Sequence, residues 1–115
     1  MTVPRTVLVS LFAMTMLFLS AHGAFAADED YEIAIKNHQF EPKELMVPSN
    51  KRVKILVHNQ DPSAEEFESY ELNREKVIPG GTKIAVFVGP LKPGRYEFFG
   101  DFHKDTAKGV LVAKD

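Results

Sequence analysis

Side chains able to bind a metal ion concentrate in two short stretches of the sequence. The first is Glu65-Glu66-Phe67-Glu68 and the second is Asp101-Phe102-His103-Lys104-Asp105. In an extended backbone, side chains alternate between two faces, so Asp101, His103 and Asp105 share one side while the phenylalanine between them faces a core. Two carboxylates beside an imidazole form a plausible metal-binding face. The ordinary alternatives are a solvated polar loop for the second stretch and a charged short helix for the first.

Other classes of site are limited by what the sequence contains. There is no cysteine, which excludes disulfides, thiol catalysis, iron–sulfur clusters and zinc–thiolate sites. No serine lies in a pattern with histidine and acid that indicates a nucleophile. His38 is as consistent with a ligand as with a structural residue, whereas His58, at the end of an alternating segment, indicates a partly exposed structural histidine.

Length and charge indicate one exported domain. The 115 residues suit a single core, and a net charge of −2 argues against nucleic-acid binding. Residues 1–26 have the features of a secretory signal, because Arg5 precedes an apolar run and Ala24-Phe25-Ala26 matches a small-x-small cleavage pattern. The run is short for a membrane span. We therefore predict a cleaved signal over 1–26 and a domain over 27–115.

The domain reads as a series of short strands. Tyr31 to Lys36 alternates apolar and polar residues, and β-branched residues are frequent in Val53 to Val57. Further strands are predicted at 45–47, 83–88, 95–99 and 109–112, separated by turns rich in proline and glycine. About seven short strands in one small exported domain predict an all-β, single-domain Greek-key β-sandwich.

Polar segments between these strands are predicted as irregular structure. The stretch from Asn59 to Tyr70 reads as a loop or one short helix beginning near Pro62-Ser63. Arg74-Glu75-Lys76 reads as a solvated loop. Phe67, Phe87 and three phenylalanines nearer the C-terminus are candidate core residues, the latter being Phe98, Phe99 and Phe102.

The order of elements resembles that of the cupredoxins, the small copper-protein sandwiches. The resemblance rests on Phe40-Glu41-Pro42, the strand ending at Pro48, and the segment from Val53 to Asp61. It also rests on Leu91-Lys92-Pro93-Gly94-Arg95-Tyr96-Glu97-Phe98-Phe99, which is similar to the closing hairpin of that family. It covers nearly the whole predicted domain and implies the same sandwich.

The copper ligands of that family are mostly replaced in this sequence. A blue-copper site needs one Cys thiolate and two His, usually with a weak axial Met. The resemblance places the Cys at Gly100, the first His at Glu65 and the second at His103, with the Met near Thr106 or Ala107. Only the second His is kept, so the chain is not expected to be a blue-copper electron carrier.

Carboxylates have appeared in both loops that, by the resemblance, converge at one end of the sandwich, and His38 lies at that end too. The implied metal site consists of His38, Glu65, Glu66, Glu68, Asp101, His103 and Asp105. Oxygen donors with one or two imidazoles suit iron, manganese or zinc better than Cu(I).

One branch of the family resembles this chain in particular, namely exported cupredoxin-like proteins without the thiolate that accompany bacterial iron permeases. Glu65–Ser69, Glu71–Lys76 and Gly100–Thr106 carry this resemblance. It implies a periplasmic protein that captures or oxidises Fe(II), with the iron permease and other uptake components as partners. It would be one ferroxidase component of a relay, touching the membrane only through a partner.

Two other functions stay open at this point. The first is a metal-free interaction module whose acidic loops dock a basic partner. The second is a non-blue copper-binding protein that uses His and carboxylate ligands.

Overall fold

The computed structural model of the protein describes residues 31–115, which form nine strands and one 3-10 turn. The strands are β1 (Tyr31–Lys36), β2 (Gln39–Glu41), β3 (Glu44–Pro48), β4 (Val53–Asn59), β5 (Glu65–Ser69), β6 (Arg74–Ile78), β7 (Lys83–Val88), β8 (Gly94–Gly100) and β9 (Lys108–Lys114), and the 3-10 turn η1 spans Asp101–His103. The predicted signal at 1–26 lies outside the described residues. Within residues 31–115, no helix is long and apolar enough to cross a membrane.

The strands form two sheets that face each other across one core. One sheet has the order β2-β1-β4-β7 and the other β3-β9-β8-β5-β6. Two pairings are parallel, β1 with β4 and β3 with β9, and the others are antiparallel. The predicted all-β sandwich is confirmed, although the sequence indicated about seven strands rather than nine.

The core forms where the alternation of apolar residues points inward from both sheets. In β4 every second residue is buried, from Val53 to Asn59. At the centre, Phe40 packs edge-on against Phe98 with ring centroids 5.0 Å apart, and Phe67 stacks on Phe98 at 4.9 Å. Phe67 and Phe98 are core residues as predicted. The prediction is wrong for Phe87 and Phe102, which are 40% and 50% exposed.

The polar stretch predicted as a loop or helix is instead a strand. Glu65–Ser69 is β5, which pairs with β6 on one side and β8 on the other. The segment predicted as a solvated loop, Arg74-Glu75-Lys76, is the start of β6. Hydrogen bonding to neighbouring strands outweighs the polar composition of both segments, since sheet pairing depends on context more than on intrinsic propensity.

The second ligand stretch is not extended and corresponds to the polar-loop alternative. Asp101–His103 forms a 3-10 turn. The carbonyl of His103 then accepts hydrogen bonds from the N–H of Thr106 at 3.2 Å and the N–H of Ala107 at 2.8 Å. The N–H of Gly100 donates to the Ala107 carbonyl at 2.8 Å. These bonds fold the segment into a compact connection between β8 and β9. The predicted alternation therefore does not apply from Asp101 to Asp105, and the phenylalanine between them faces solvent.

Candidate metal centre

The turn between β1 and β2 presents His38 at one end of the sandwich. Lys36 pairs with Gln39 across this hairpin, so Asn37 and His38 form a two-residue loop. Both residues have positive φ, 52° and 57°, as a type I′ turn requires. Asparagine tolerates this backbone well, whereas histidine does so at some cost. The turn fixes the direction in which His38 leaves the sheet.

Asp61 holds this turn in place from the neighbouring loop. Its carboxylate accepts the N–H of Asn37 at 2.8 Å and the N–H of His38 at 2.9 Å. Burial by itself raises the pKa of Asp61, but the two backbone hydrogen bonds and the nearby His38 and His103 rings outweigh burial and lower the pKa below 3.8. Asp61 therefore acts as a charged anchor for the first loop.

Glu65 lies on the inward face of β5, where its carboxylate is almost completely buried. Oε1 accepts the N–H groups of Glu66 at 3.0 Å and of Phe102 at 2.9 Å. Oε2 lies 2.5 Å from Nδ1 of His103. This contact sets the carboxylate and the imidazole side by side at one end of the sandwich.

His38 and His103 stack on each other, with ring centroids 3.6 Å apart and planes 14° from parallel. The hydroxyl of Thr106 donates to the His38 carbonyl at 2.7 Å, which ties the two loops together. His38, Glu65 and His103 each offer one ligand atom, and these atoms lie within 4.8 Å of one another. We call these three residues the inner group.

Gly100, where the resemblance places a cysteine, is a position without space for a side chain. A Cβ built there would lie 2.6 Å from Cβ of Ala107 and 2.6 Å from Cδ of Glu65. The buried carboxylate of Glu65 therefore takes up the volume that a side chain at position 100 would need.

Three other predicted ligands lie on the opposite face of β5. Glu66, Glu68 and Asp101 offer oxygens within 4.8 Å of one another, and we call them the outer group. Side chains alternate along a strand, so Glu65 and Glu66 point to different faces. Six of the seven predicted ligands are thus divided between two groups, and the seventh, Asp105, is exposed and belongs to neither.

Glu66 is the most perturbed acid of the described residues. A side-chain hydrogen bond with Glu75 raises the pKa of Glu66 to about 7, together with burial and the negative charges of Glu75, Glu68 and Asp101. Two carboxyl groups can share a hydrogen bond only while one carries a proton. Near neutral pH Glu66 is therefore poised between its protonated and charged forms.

Replacing Glu66 by glutamine should stabilise the metal-free protein at high pH. The folded state keeps the Glu66 proton to about pH 7, whereas the unfolded chain loses it near the ordinary value, so native stability falls as pH rises between these values. The glutamine side chain cannot ionise and keeps a donor toward Glu75. In chelator at pH 8 we expect a gain on the order of 1–2 kcal/mol.

Urea denaturation at pH 5 and pH 8 measures this effect. The gain should be much smaller at pH 5, where Glu66 of the folded protein keeps its proton. Glu32→Gln, an exposed change of the same charge, should give little difference at either pH. An equal gain for Glu66→Gln at both pH values would contradict the assigned protonation.

Two residues of this region were missed by the sequence analysis. Asp61 falls in the predicted polar segment, although an Asx residue between Asn59 and Pro62 is a common turn-forming signal. Glu75 falls in the predicted solvated loop, but the register of β5 with β6 sets it opposite Glu68. His58 is half-buried in β4 and lies outside both groups, as expected for a structural histidine.

Comparison with known proteins gives one matching family and one relative of substantial identity. The sequence profile of the Cupredoxin-like domain matches residues 8–113. An uncharacterised protein of Rickettsia prowazekii (strain Madrid E) is 44% identical over 86 residues, which cover 75% of this chain and 69% of the relative.

Solved structures share the sandwich at low sequence identity. Auracyanin A, a "blue" copper protein from Chloroflexus aurantiacus, is 15% identical, with 74% of this chain and 98% of that chain covered and a TM-score of 0.63. A purple cupredoxin from Nitrosopumilus maritimus is 18% identical, with 74% and 100% covered and a TM-score of 0.58. Likeness at this level of identity shows the fold alone.

Proposed function

The chain belongs to the cupredoxin-like domain family, and on this premise we propose that it is a periplasmic iron-handling protein of a ferrous-iron uptake system. Its predicted signal would direct export, and an iron permease with other uptake components would be its partners. The observation that carries the proposal is the convergence of His38, Glu65 and His103 at one end of the sandwich.

A blue-copper cofactor does not fit this site. The chain has no cysteine, and the buried Glu65 carboxylate lies against Gly100, where a thiolate would have to enter. The inner group instead offers imidazole nitrogens and a carboxylate oxygen. This mixture suits borderline and hard metal ions, including iron, better than it suits Cu(I).

Iron is the cargo of the proposed protein, and the inner group supplies its ligands. Fe(II) would be bound by ring nitrogens of His38 and His103 and by the carboxylate of Glu65. An anionic oxygen ligand favours Fe(III) over Fe(II), so the site promotes loss of one electron from the bound ion. That electron passes to a one-electron acceptor on a partner protein, because reduction of dioxygen requires several electrons.

Anaerobic calorimetric titration of the exported domain with Fe(II) tests the inner group. Replacing His103 by alanine should weaken Fe(II) binding by at least about tenfold, since it removes a ligand and leaves the buried Glu65 carboxylate without its partner. His58→Ala is the matched control, because it removes a histidine outside both groups. It should leave the affinity unchanged.

Two results would overturn the proposal. One is equal Fe(II) affinity in the wild-type and His103→Ala proteins, and the other is no binding by a correctly folded wild-type protein. The second result would instead favour a metal-free interaction module. Copper binding in the same titration would not decide the function, because Cu(II) outcompetes Fe(II) at most nitrogen and oxygen sites.

A further inference from the structure

The outer group lies on the solvent-facing side of the five-stranded sheet, behind the inner group. Glu68 pairs with Phe99 of β8 and with Glu75 of β6, and Phe67 pairs with Gly100. This pairing brings the end of β8, and with it Asp101 at the start of η1, beside β5. The backbone of β5 and η1 therefore holds the three carboxylates together.

Negative charge in this group exceeds the positive charge beside it. Nζ of Lys104 lies 3.0 Å from Oδ1 of Asp101 and pairs with that carboxylate. Partial burial, followed by the charges of Asp101 and Glu75, raises the pKa of Glu68. Carboxylates this close repel one another when all are ionised. A bound cation would remove that repulsion.

A second observation, independent of the acidic composition, points to a ligand. Glu66 is only 5% exposed, and its Oε1 is buried without an N–H or hydroxyl donor from any described residue. The side chain that Glu66 does hydrogen-bond, Glu75, is itself an acid. Buried acceptors nearly always have a partner. Both carboxylate oxygens of the neighbouring Glu65 have hydrogen-bond partners. The oxygen without a donor therefore belongs to the outer group and not to the inner group.

We propose that Glu66, Glu68 and Asp101 form a second cation site, which binds a hard divalent ion through oxygen atoms alone. Three carboxylates with no nitrogen or sulfur donor are typical ligands for Mg²⁺, Ca²⁺ or Mn²⁺. The site is distinct from the inner group because the two lie on opposite faces of β5. It does not depend on iron binding by His38, Glu65 and His103.

Titration with Mn²⁺, followed by electron paramagnetic resonance of the free ion, tests this site directly. Wild-type protein should bind one Mn²⁺ at the outer group, and Glu66→Gln should weaken that binding at least tenfold. Glu32→Gln is the matched control, because it removes the same charge from an exposed position on the other sheet. Its affinity should stay within about twofold of the wild type.

Two further measurements separate this proposal from misfolding and from the inner group. Urea denaturation in chelator checks that Glu66→Gln is folded, since the change is expected to stabilise the metal-free protein. The double variant His38→Ala/His103→Ala should keep its Mn²⁺ affinity. Unchanged Mn²⁺ binding in Glu66→Gln would overturn the outer site, and loss of binding in the histidine variant would assign the ion to the inner group.

Discussion

Gly100→Ala should lower the free energy of unfolding by about 3 kcal/mol, and Gly100→Cys by at least as much. The added Cβ would lie 2.6 Å from both Cβ of Ala107 and Cδ of Glu65. Neither neighbour moves freely, because Ala107 is fully buried and the Glu65 carboxylate has three hydrogen-bond contacts. For a domain of this size the loss corresponds to a fall in Tm of more than about 10 °C.

Thermal and urea denaturation measure this loss, and a double-mutant cycle identifies its cause. The cost of Gly100→Ala should be smaller in a Glu65→Ala background, where the space is open. Gly81→Ala is a useful comparison, since Gly81 has positive φ but no atom within 4 Å of an added Cβ. It should cost about 1 kcal/mol. A similar cost at both glycines would contradict the steric argument.

Asp61→Ala should also destabilise the protein by about 3 kcal/mol at pH 7, because two backbone N–H groups lose a charged acceptor. Those groups belong to Asn37 and His38, so the turn that carries His38 should loosen as well. We therefore expect weaker Fe(II) binding even though Asp61 is not a ligand. Asp61→Asn keeps one acceptor oxygen and should lose less stability.

The pH dependence of the Asp61 effect follows from the lowered pKa. A carboxyl group whose pKa is lower in the folded state stabilises that state above its unfolded value, and the stabilisation is lost as pH falls through the folded value. The stability difference between wild type and Asp61→Ala, measured by urea denaturation, should therefore shrink below about pH 3.8. Asp105→Ala, an exposed change of equal charge, should cost under about 0.5 kcal/mol.

The strands that the sequence predicted best are those with a clear apolar pattern. Tyr31 to Lys36 and Lys83 to Val88 match β1 and β7 to the residue. In β1 the alternation reflects burial on one face, and β7 is a run of apolar residues after Lys83. Glu65–Ser69 contains one apolar residue, so no periodic signal separates a strand from a loop there. Its pairing with β8 and β6 is a tertiary effect that local composition does not encode.

The sequence predicts which residues belong to the candidate site, but it does not predict that they separate into an inner and an outer group. Convergence of the His38, Glu65 and His103 regions came from the family resemblance, since the residues are far apart in sequence. Treating 65–68 as irregular gave no reason to separate Glu65 from Glu66. Once β5 is a strand, alternation sends the two side chains to opposite faces, and the 3-10 turn after Gly100 directs Asp101 and His103 apart.

The contact between Glu65 and Gly100 also restricts how this lineage can change. Introducing a cysteine at position 100 by itself places a side chain against a filled volume. Replacing Glu65 by histidine first leaves the N–H groups of Glu66 and Phe102 without their acceptor. Each single substitution is therefore expected to lower stability. A thiolate at this end of the sandwich requires positions 65 and 100 to change together.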